Sequence, residues 1–305
     1  MSTTEQPSNR EVLRRLELDV SRRLDGLLHG DYRGLSAGHG SEPGETREYA
    51  PGDDVRRIDW NVTARSQQTH IRESVADREL ETRVLLDLSP SLDFGTVQWE
   101  KRELALAVAQ ALGVITGKVG NRFGALALHA DGAMEIPSRG GRAHLMSLLH
   151  QLRSLSRGSE GPVNLTDGIN RLSSTARRSA LMIVVSDFLS KDPWDEALKR
   201  LSVRHEVVCI EVADPRELEL PDVGLIDLVD PESGRTLEIQ SSNADVRNKF
   251  AALAMAQRAE HETAIRAAGS DHLFLRTDQD WLLELAKFIG LRKRRKGANP
   301  TVGAS

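Results

Sequence analysis

The chain has 305 residues, of which 39% are hydrophobic and 28% charged, a balance typical of a globular protein with a buried core. Its 41 basic and 45 acidic residues give a net charge of −4, so the composition lacks the basic excess of a nucleic-acid binder. No apolar stretch approaches the ~20 residues of a membrane helix, and the N-terminus lacks the apolar region of a signal peptide. We therefore expect a cytoplasmic protein without nucleic-acid partners or an integral membrane segment.

The segment before residue 80 predicts an N-terminal extension made of a helix and a β-hairpin. Apolar spacing over residues 13–27 suits an amphipathic helix. Further along, Asp53 or Asp54 is expected to cap a short helical turn that runs to Trp60. Two strands are expected to pair across a polar turn, over residues 69–75 and 81–88.

From residue 95 onward, helical and strand patterns alternate along the chain. The predicted helices span residues 99–119, 142–153, 166–176, 193–202, 245–268 and 278–290. The predicted strands span residues 122–129, 133–136, 180–185, 205–212 and 271–275. This alternation predicts an α/β fold of the Rossmann type, with a doubly wound, mostly parallel sheet covered on both faces. Residues 222–240 predict a hairpin or irregular insertion, and the basic run after residue 290 predicts a flexible tail.

Oxygen-bearing side chains follow two of the predicted central strands. The stretch LLDLSPSLDFG supplies Asp87, Ser89 and Ser91 at alternate positions, and Asp187 follows the apolar run LMIVVS. In a doubly wound sheet, sites form beyond the carboxyl ends of the strands, so we expect the two aspartates to converge there. Thr166, in a loop between them in sequence, offers a further hydroxyl.

Carboxylates and hydroxyls are hard oxygen donors of the kind that Mg²⁺ prefers, with Mn²⁺ as an alternative. Because Mg²⁺ keeps several waters, a few protein ligands are enough, and an incoming carboxylate from a partner supplies a missing anionic donor. The residues alone leave open whether Thr166 or Thr175 completes the site. For the triplet around Ser89, a solvated strand end that caps the next helix is the plain structural alternative.

The pattern Asp87-x-Ser89-x-Ser91, with Thr166 and Asp187 later in the chain, resembles the metal-ion-dependent adhesion site of von Willebrand factor A domains. In that family the serines and the threonine coordinate the metal, and the aspartates act directly or through water. The resemblance therefore implies a von Willebrand factor A-like domain over residues 80–290, preceded by the 1–79 extension and followed by a tail over 291–305.

An upstream segment, YAPGDDVRRIDW followed by AR and RE, resembles the bacterial domain-of-unknown-function family fifty-eight. Members of that family are von Willebrand A-like and typically accompany AAA+ ATPases of the MoxR type, so the resemblance implies such a partner. We interpret the charged residues of this segment mainly as a structural cluster of arginine–carboxylate pairs, with a partner-binding or catalytic role as the alternative. The charged residues are Asp53, Asp54, Arg56, Arg57, Asp59 and Arg65, and the compact turn that they are expected to hold lies beside Trp60.

These features together predict a non-enzymatic protein-interaction module that holds Mg²⁺ and binds an acidic group of a partner, working with a MoxR-type ATPase in chaperone-like assembly or maturation. One alternative is a Mg²⁺-dependent hydrolase of the phosphatase or nuclease type, using Asp87 and Asp187 with help from Asp53, Asp54 or Asp59. A second alternative is a structural scaffold without metal.

Overall fold

The structure is a computed structural model that describes residues 20–28, 46–49, 58–66, 68–72, 80–129, 131–157, 163–176, 178–229 and 234–297. Its strands are β1 (Thr46–Glu48), β2 (His70–Arg72), β3 (Glu81–Asp87), β4 (Arg122–His129), β5 (Gly132–Arg139), β6 (Leu181–Ser186), β7 (Glu206–Ala213), β8 (Leu225–Val229), β9 (Thr236–Gln240) and β10 (Asp271–Arg276). Its helices are α1 (20–28), α2 (Trp60–Ser66), α3 (Lys101–Lys118), α4 (Arg142–Ser154), α5 (Leu165–Thr175), α6 (Trp194–Arg204), α7 (Pro215–Leu218), α8 (Ala244–Ala267) and α9 (Trp281–Gly297).

A six-stranded sheet forms the centre of the molecule, in the order β10-β7-β6-β3-β4-β5. All neighbours pair in parallel except β4 and β5, which form an antiparallel hairpin at one edge. The two central strands, β3 and β6, are almost entirely buried, because helices cover both of their faces. Chain direction diverges between them: the strands after β3 lie on one side, and those after β6 lie on the other.

Two apolar layers lie against the two faces of this sheet. One contains α1, α3, α4 and α9 with Val84 and Leu86 of β3, and the other contains α5, α6 and the end of α8 with Leu85. Successive side chains of one strand therefore enter opposite layers, as the period of two requires. The predicted α/β class and the doubly wound, mostly parallel sheet are confirmed.

The N-terminal extension differs from the prediction in its pairing. Strand β2 pairs in antiparallel fashion with β1, whereas β3 joins the central sheet, so β2 and β3 do not form the expected hairpin. The strand β3 is apolar on both faces, and such a strand is stabilised by burial between two helical layers rather than in a two-stranded ribbon. The short helical turn expected after Asp53 or Asp54 falls mainly outside the described residues. A helix that was not predicted, α2, begins at Trp60 with Asp59 as its cap.

The C-terminal end also corrects the prediction. Helix α9 continues to Gly297, so residues 291–297 are not the flexible tail that their charge suggested. The side chain of Arg292 is only 1% exposed, and its guanidinium lies 2.7 Å from Asp271 and 2.5 Å from Glu206. The ion pairs of Arg292 with the first residues of β7 and β10 therefore hold this part of α9 against the sheet. The number of charged residues in the sequence does not reveal such pairs. The predicted hairpin within residues 222–240 is confirmed as β8 and β9.

In the part of the chain that the structure describes, no helix combines the length and the apolar character that a membrane span needs.

Candidate functional site

Two buried aspartates lie side by side at the carboxyl edge of the central sheet. Asp87 is the last residue of β3, and Asp187 directly follows the neighbouring parallel strand β6. Their exposed fractions are 4% and 5%. The structure thus brings together two carboxylates that stand a hundred residues apart in sequence, at the edge where chain direction diverges.

The carboxylate of Asp87 is held by two donors. Its Oδ1 accepts the backbone N–H of Ser89 at 3.0 Å, and its Oδ2 accepts the hydroxyl of Ser186 at 2.7 Å. Burial and then the nearby charge of Asp187 raise the pKa of Asp87 to about 6, against the lowering effect of these hydrogen bonds. The two carboxylates therefore repel each other, which favours a cation between them.

The two predicted serines belong to a short 3-10 turn, Pro90–Leu92, that follows β3: Ser89 is its N-cap, and Ser91 is its middle residue. Pro90 starts the turn with its fixed φ and brings the hydroxyls of Ser89 and Ser91 to 3.0 Å from each other. The Ser91 hydroxyl also lies close enough to Asp187 to lower the pKa of that carboxyl, and both serines are buried. The turn therefore places two paired hydroxyls beside the carboxylates at the ends of β3 and β6.

Thr166 lies in the first turn of α5, after the N-cap residue Asn164. Its backbone N–H donates to Asp192 Oδ2 at 3.1 Å. Its hydroxyl oxygen and Asp192 Oδ1 are buried, and neither has a hydrogen-bond partner among the described residues. Thr175, the alternative, donates its hydroxyl to the carbonyl of Leu172 at 2.6 Å, at the far end of α5. The orphaned oxygen favours Thr166, because buried polar atoms without partners are uncommon.

Close packing of Gly168 fixes the position of this first turn. A Cβ on Gly168 would lie 2.4 Å from Leu128 Cδ1, so α5 approaches the end of β4 as closely as a glycine allows. Leu128 in turn is the β4 partner of Asp87. The start of α5 is thereby held beside the end of β3, although the Thr166 hydroxyl makes no hydrogen bond to the other predicted residues within the described chain.

Sequence reasoning missed Lys101, whose ammonium binds Asp187 directly. Its Nζ lies 2.9 Å from Asp187 Oδ2 and 2.5 Å from Glu217 Oε1, and its side chain is fully buried. Burial lowers the pKa of Lys101, but the two carboxylates raise it more, so the group stays charged. One signal was available: Lys101 is the first residue of α3, where the helix dipole disfavours a positive charge.

The pKa of Asp187 is held below its ordinary value. Burial alone would raise it, but the charge and hydrogen bond of Lys101 and the hydroxyl of Ser91 lower it more. The next residue, Phe188, has a left-handed backbone with φ of 56°, a conformation that side chains disfavour. Its ring packs edge-on against Trp194 at 5.1 Å, and this buried contact stabilises the turn that presents Asp187.

The second partner of Lys101 belongs to a network at the end of β7. Glu217 Oε2 accepts the backbone N–H of Asp214, which caps the short helix α7. Asp214 also binds the hydroxyls of Thr96, at 2.6 Å, and Thr277, at 2.9 Å. The loop before α3, the start of α7 and the end of β10 are therefore tied to the site through Lys101.

The charged upstream segment is only partly described. Asp59 caps α2, accepting the backbone N–H groups of Asn61 and Val62, and the Trp60 side chain is 71% exposed. Arg65 lies exposed in the last turn of α2. Asp53, Asp54 and Arg56 lie outside the described residues. The capping role of Asp59 is structural, so among the described residues it does not support the hydrolase alternative.

The donor set fits a hard divalent cation. Among the residues described, no three His, Cys, Asp or Glu side chains come together as a metal-binding group. The structure instead brings together two carboxylates and the paired hydroxyls of Ser89 and Ser91. The Thr166 hydroxyl, at the start of α5, has no hydrogen-bond partner among the described residues and is the fifth candidate donor. A carboxylate offers about four acceptor sites, and the internal hydrogen bonds of Asp87 and Asp187 leave lone pairs for an ion.

The family described as "Protein of unknown function DUF58" matches residues 45–260, and the chain belongs to it. Two relatives are similar to nearly the whole chain: "Uncharacterized protein Mb1516" of Mycobacterium bovis and "Uncharacterized protein Rv1480" of Mycobacterium tuberculosis. Each is 45% identical over 289 residues, which are 94% of this chain and 91% of the relative. The predicted family membership is confirmed.

Solved structures with lower similarity include BatB from Bacteroides thetaiotaomicron, 17% identical with a TM-score of 0.47, covering 70% of this chain and 99% of that one. Another is the SpRpn10 VWA domain, 13% identical with a TM-score of 0.38, covering 68% and 93%.

Proposed function

We propose that this protein is a non-enzymatic interaction module with a metal-ion-dependent adhesion site. Asp87, Ser89, Ser91, Thr166 and Asp187 would hold Mg²⁺, with Mn²⁺ as a substitute, and an acidic group of a partner protein would be the ligand. The observation that carries the proposal is the pair of buried carboxylates at neighbouring strand ends, with the paired hydroxyls of Ser89 and Ser91 beside them.

The residues of this chain have separate tasks in the proposal. Ser89 and Ser91 present hydroxyl oxygens from a turn that Pro90 fixes, and Thr166 presents a hydroxyl with no other partner among the described residues. Asp87 supplies a carboxylate whose charge is otherwise costly, because it is buried beside Asp187. A bound divalent ion would supply positive charge to these carboxylates and an open position for an oxygen ligand.

An acidic ligand follows from the charge of Asp187. Lys101 already pairs with that carboxylate, so of the two aspartates only Asp87 has no cationic partner among the described residues. Mg²⁺ and Mn²⁺ prefer anionic oxygen donors, and a partner carboxylate would provide the second one.

Membership in the family supports a MoxR-type AAA+ ATPase as the working partner, in chaperone-like assembly or maturation of other proteins. This step rests on the resemblance of the GDDVRRIDW segment to that family. The cytoplasmic location expected from the sequence stays a prediction.

Calorimetric titration with Mg²⁺ and Mn²⁺ tests the metal site. We expect wild type to bind both ions and Ser89→Ala to bind at least about tenfold more weakly. Ser174→Ala is a matched control, because its exposed hydroxyl bonds only the Arg171 carbonyl on α5. Absence of binding heat for wild type with either ion would contradict the proposal and favour the metal-free scaffold.

Binding to a purified MoxR-type ATPase, with Mg²⁺ or with EDTA, tests the partner. The interaction should require the ion and weaken in Ser89→Ala but not in Ser174→Ala. Binding that persists unchanged in EDTA would contradict a metal-bridged interface. Turnover of p-nitrophenyl phosphate that disappears in Asp87→Ala would instead support the hydrolase alternative.

A further inference from the structure

A cleft adjoins the candidate metal site and shares one of its proposed ligands, Asp187. It opens beyond the carboxyl ends of β6 and β7, is covered by α8, and encloses about 370 Å³ of empty space, part of it open to solvent. Asp187 lies at one end of the cleft, and the edge strand β10 forms another wall. Apolar side chains contribute much of the lining: Leu189, Val212, Leu218, Ala254 and Phe274.

The acidic groups that line the cleft are all partnered. Lys101 binds both Asp187 and Glu217. Glu211, which is buried in the floor, accepts His272 Nε2 at 2.8 Å and lies 3.4 Å from His261 Nδ1. These three carboxylates therefore have internal partners and do not demand a cation from outside.

Arg258, on α8, is different. Its guanidinium carbon lies 3.6 Å above the centre of the Phe274 ring, so the flat side of the group is held against an aromatic face. Its Nε is buried and has no hydrogen-bond partner among the described residues. Guanidinium is always charged and carries five N–H donors, so a buried, unsatisfied donor of this group costs stability until an acceptor arrives.

Other buried arginines of the protein show what Arg258 lacks. Arg83 binds Glu81 and Glu135, and Arg292 binds Asp271 and Glu206. Among the described residues no carboxylate oxygen lies within 4.0 Å of the Arg258 guanidinium, because the three carboxylates of the cleft are paired elsewhere. The Arg258 guanidinium therefore lacks an anionic hydrogen-bond acceptor, and one could enter the cleft from solvent.

We propose that this cleft binds a carboxylate carried on a short aliphatic stem. The carboxylate would accept hydrogen bonds from the N–H groups of the Arg258 guanidinium, and the aliphatic stem would contact Leu189 and Val212. A small free acid and the side chain of a partner's glutamate share this chemistry. The proposal does not require the metal ion, and so it stands apart from the proposed function.

The Nε–H resonance of Arg258 gives a direct readout in solution NMR, because that atom is the unsatisfied donor. The probes are propionate, its neutral isostere propionamide, and N-acetyl-glutamate N-methylamide as a mimic of a protein side chain. All titrations contain EDTA, so that a carboxylate bound to an ion at Asp87 cannot produce the signal. We expect a saturable shift with a carboxylate probe and none with propionamide.

Variants of α8 separate the cleft from general charge effects. Arg258→Met should weaken carboxylate binding by about tenfold or more, and Arg258→Lys should restore only part of it, since lysine lacks the planar fork. Arg266→Met is the matched control, because Arg266 lies exposed on the same helix and pairs with Glu262. Its binding should equal that of wild type.

The outcomes divide clearly. Stronger binding of the glutamate mimic than of propionate identifies a protein side chain as the source, and the reverse identifies a small free acid; both support the cleft. No saturable shift with either carboxylate, or equal binding by Arg258→Met and wild type, overturns the proposal. Melting temperatures of the variants verify that each one is folded.

Discussion

Lys101 forms a buried salt bridge with Asp187, with 2.9 Å between Nζ and Oδ2, inside the candidate metal site. The lysine reaches this position from the first turn of α3, and Glu217 receives its second hydrogen bond. One permanent positive charge is thus shared by two carboxylates at the carboxyl edge of the sheet. This arrangement determines how the site responds to substitution and to pH.

Lys101→Met should destabilise the protein by about 3–5 kcal/mol, because it leaves the Asp187 charge buried without its partner. Urea unfolding followed by circular dichroism measures the change. Lys287→Met is the matched control: that lysine is 55% exposed and pairs with Glu284 on the surface of α9. Its effect should stay within about 0.5 kcal/mol. If both variants lost a similar amount of unfolding free energy, the buried pair of Lys101 and Asp187 would contribute no more to stability than the surface pair.

Asp87 should make the metal-free protein less stable as pH rises. Its pKa is raised from 3.8 to about 6 in the folded state by burial and by Asp187, so between these values the folded protein binds the proton more tightly than the unfolded chain does. The stabilising contribution is complete below pH 3.8 and is lost as pH rises through about 6.

Asp87→Asn removes this titration. In EDTA, the melting temperature of the variant relative to wild type should therefore increase between pH 4 and pH 7. Thermal scans at several pH values measure this difference. A difference that is constant over the range, or that shrinks as pH rises, would contradict a raised pKa of Asp87 in the folded protein.

Two glycines should respond oppositely to alanine. A Cβ at Gly124 would lie 2.8 Å from the backbone nitrogen of Ser138, at the irregular register of β4 and β5, and backbone cannot yield as a side chain does. We expect Gly124→Ala to cost about 1–3 kcal/mol. At Gly117, exposed near the end of α3, a Cβ meets nothing within 4 Å, so alanine should add about 0.5–1 kcal/mol. Urea midpoints measure both, and a stabilising Gly124→Ala would refute the close approach.

Arg292→Met should destabilise the protein by about 3 kcal/mol, since Asp271 and Glu206 both lose the same buried guanidinium. The neighbouring Arg294 is exposed, so Arg294→Met is a matched control with little expected effect. Thermal unfolding of the two variants decides the matter. Equal melting temperatures would show that α9 does not depend on this pair.

Much of the fold could be predicted from sequence, because β6 and the second half of β3, Val84 to Leu86, are apolar runs whose burial leaves little choice of partner layer. The positions of Asp87 and Asp187 followed from the ends of those runs. The pairing of β2 could not be predicted in this way, because its three residues carry no strong apolar pattern. Local sequence also cannot show which distant carboxylate will receive a charged residue such as Lys101 or Arg292.

The candidate site was predicted less completely than the sheet. The hydroxyls and carboxylates at the strand ends follow a sequence pattern that can be recognised. The Lys101 ammonium comes from the start of α3, where the sequence contains no recognisable motif. Arg258 was missed for a related reason: its significance lies in what it fails to contact, and only packing reveals a donor without an acceptor.

The loop from Asp93 to Glu100 has a consequence for how this chain tolerates insertions. Ser91 before it and Lys101 after it both reach Asp187, while Thr96 in its middle is fastened to Asp214. The length of the loop therefore determines where the Ser91 hydroxyl and the Lys101 ammonium lie relative to Asp187. Adding or deleting a residue here would detach one of these contacts, whereas surface loops elsewhere usually absorb such changes at little cost.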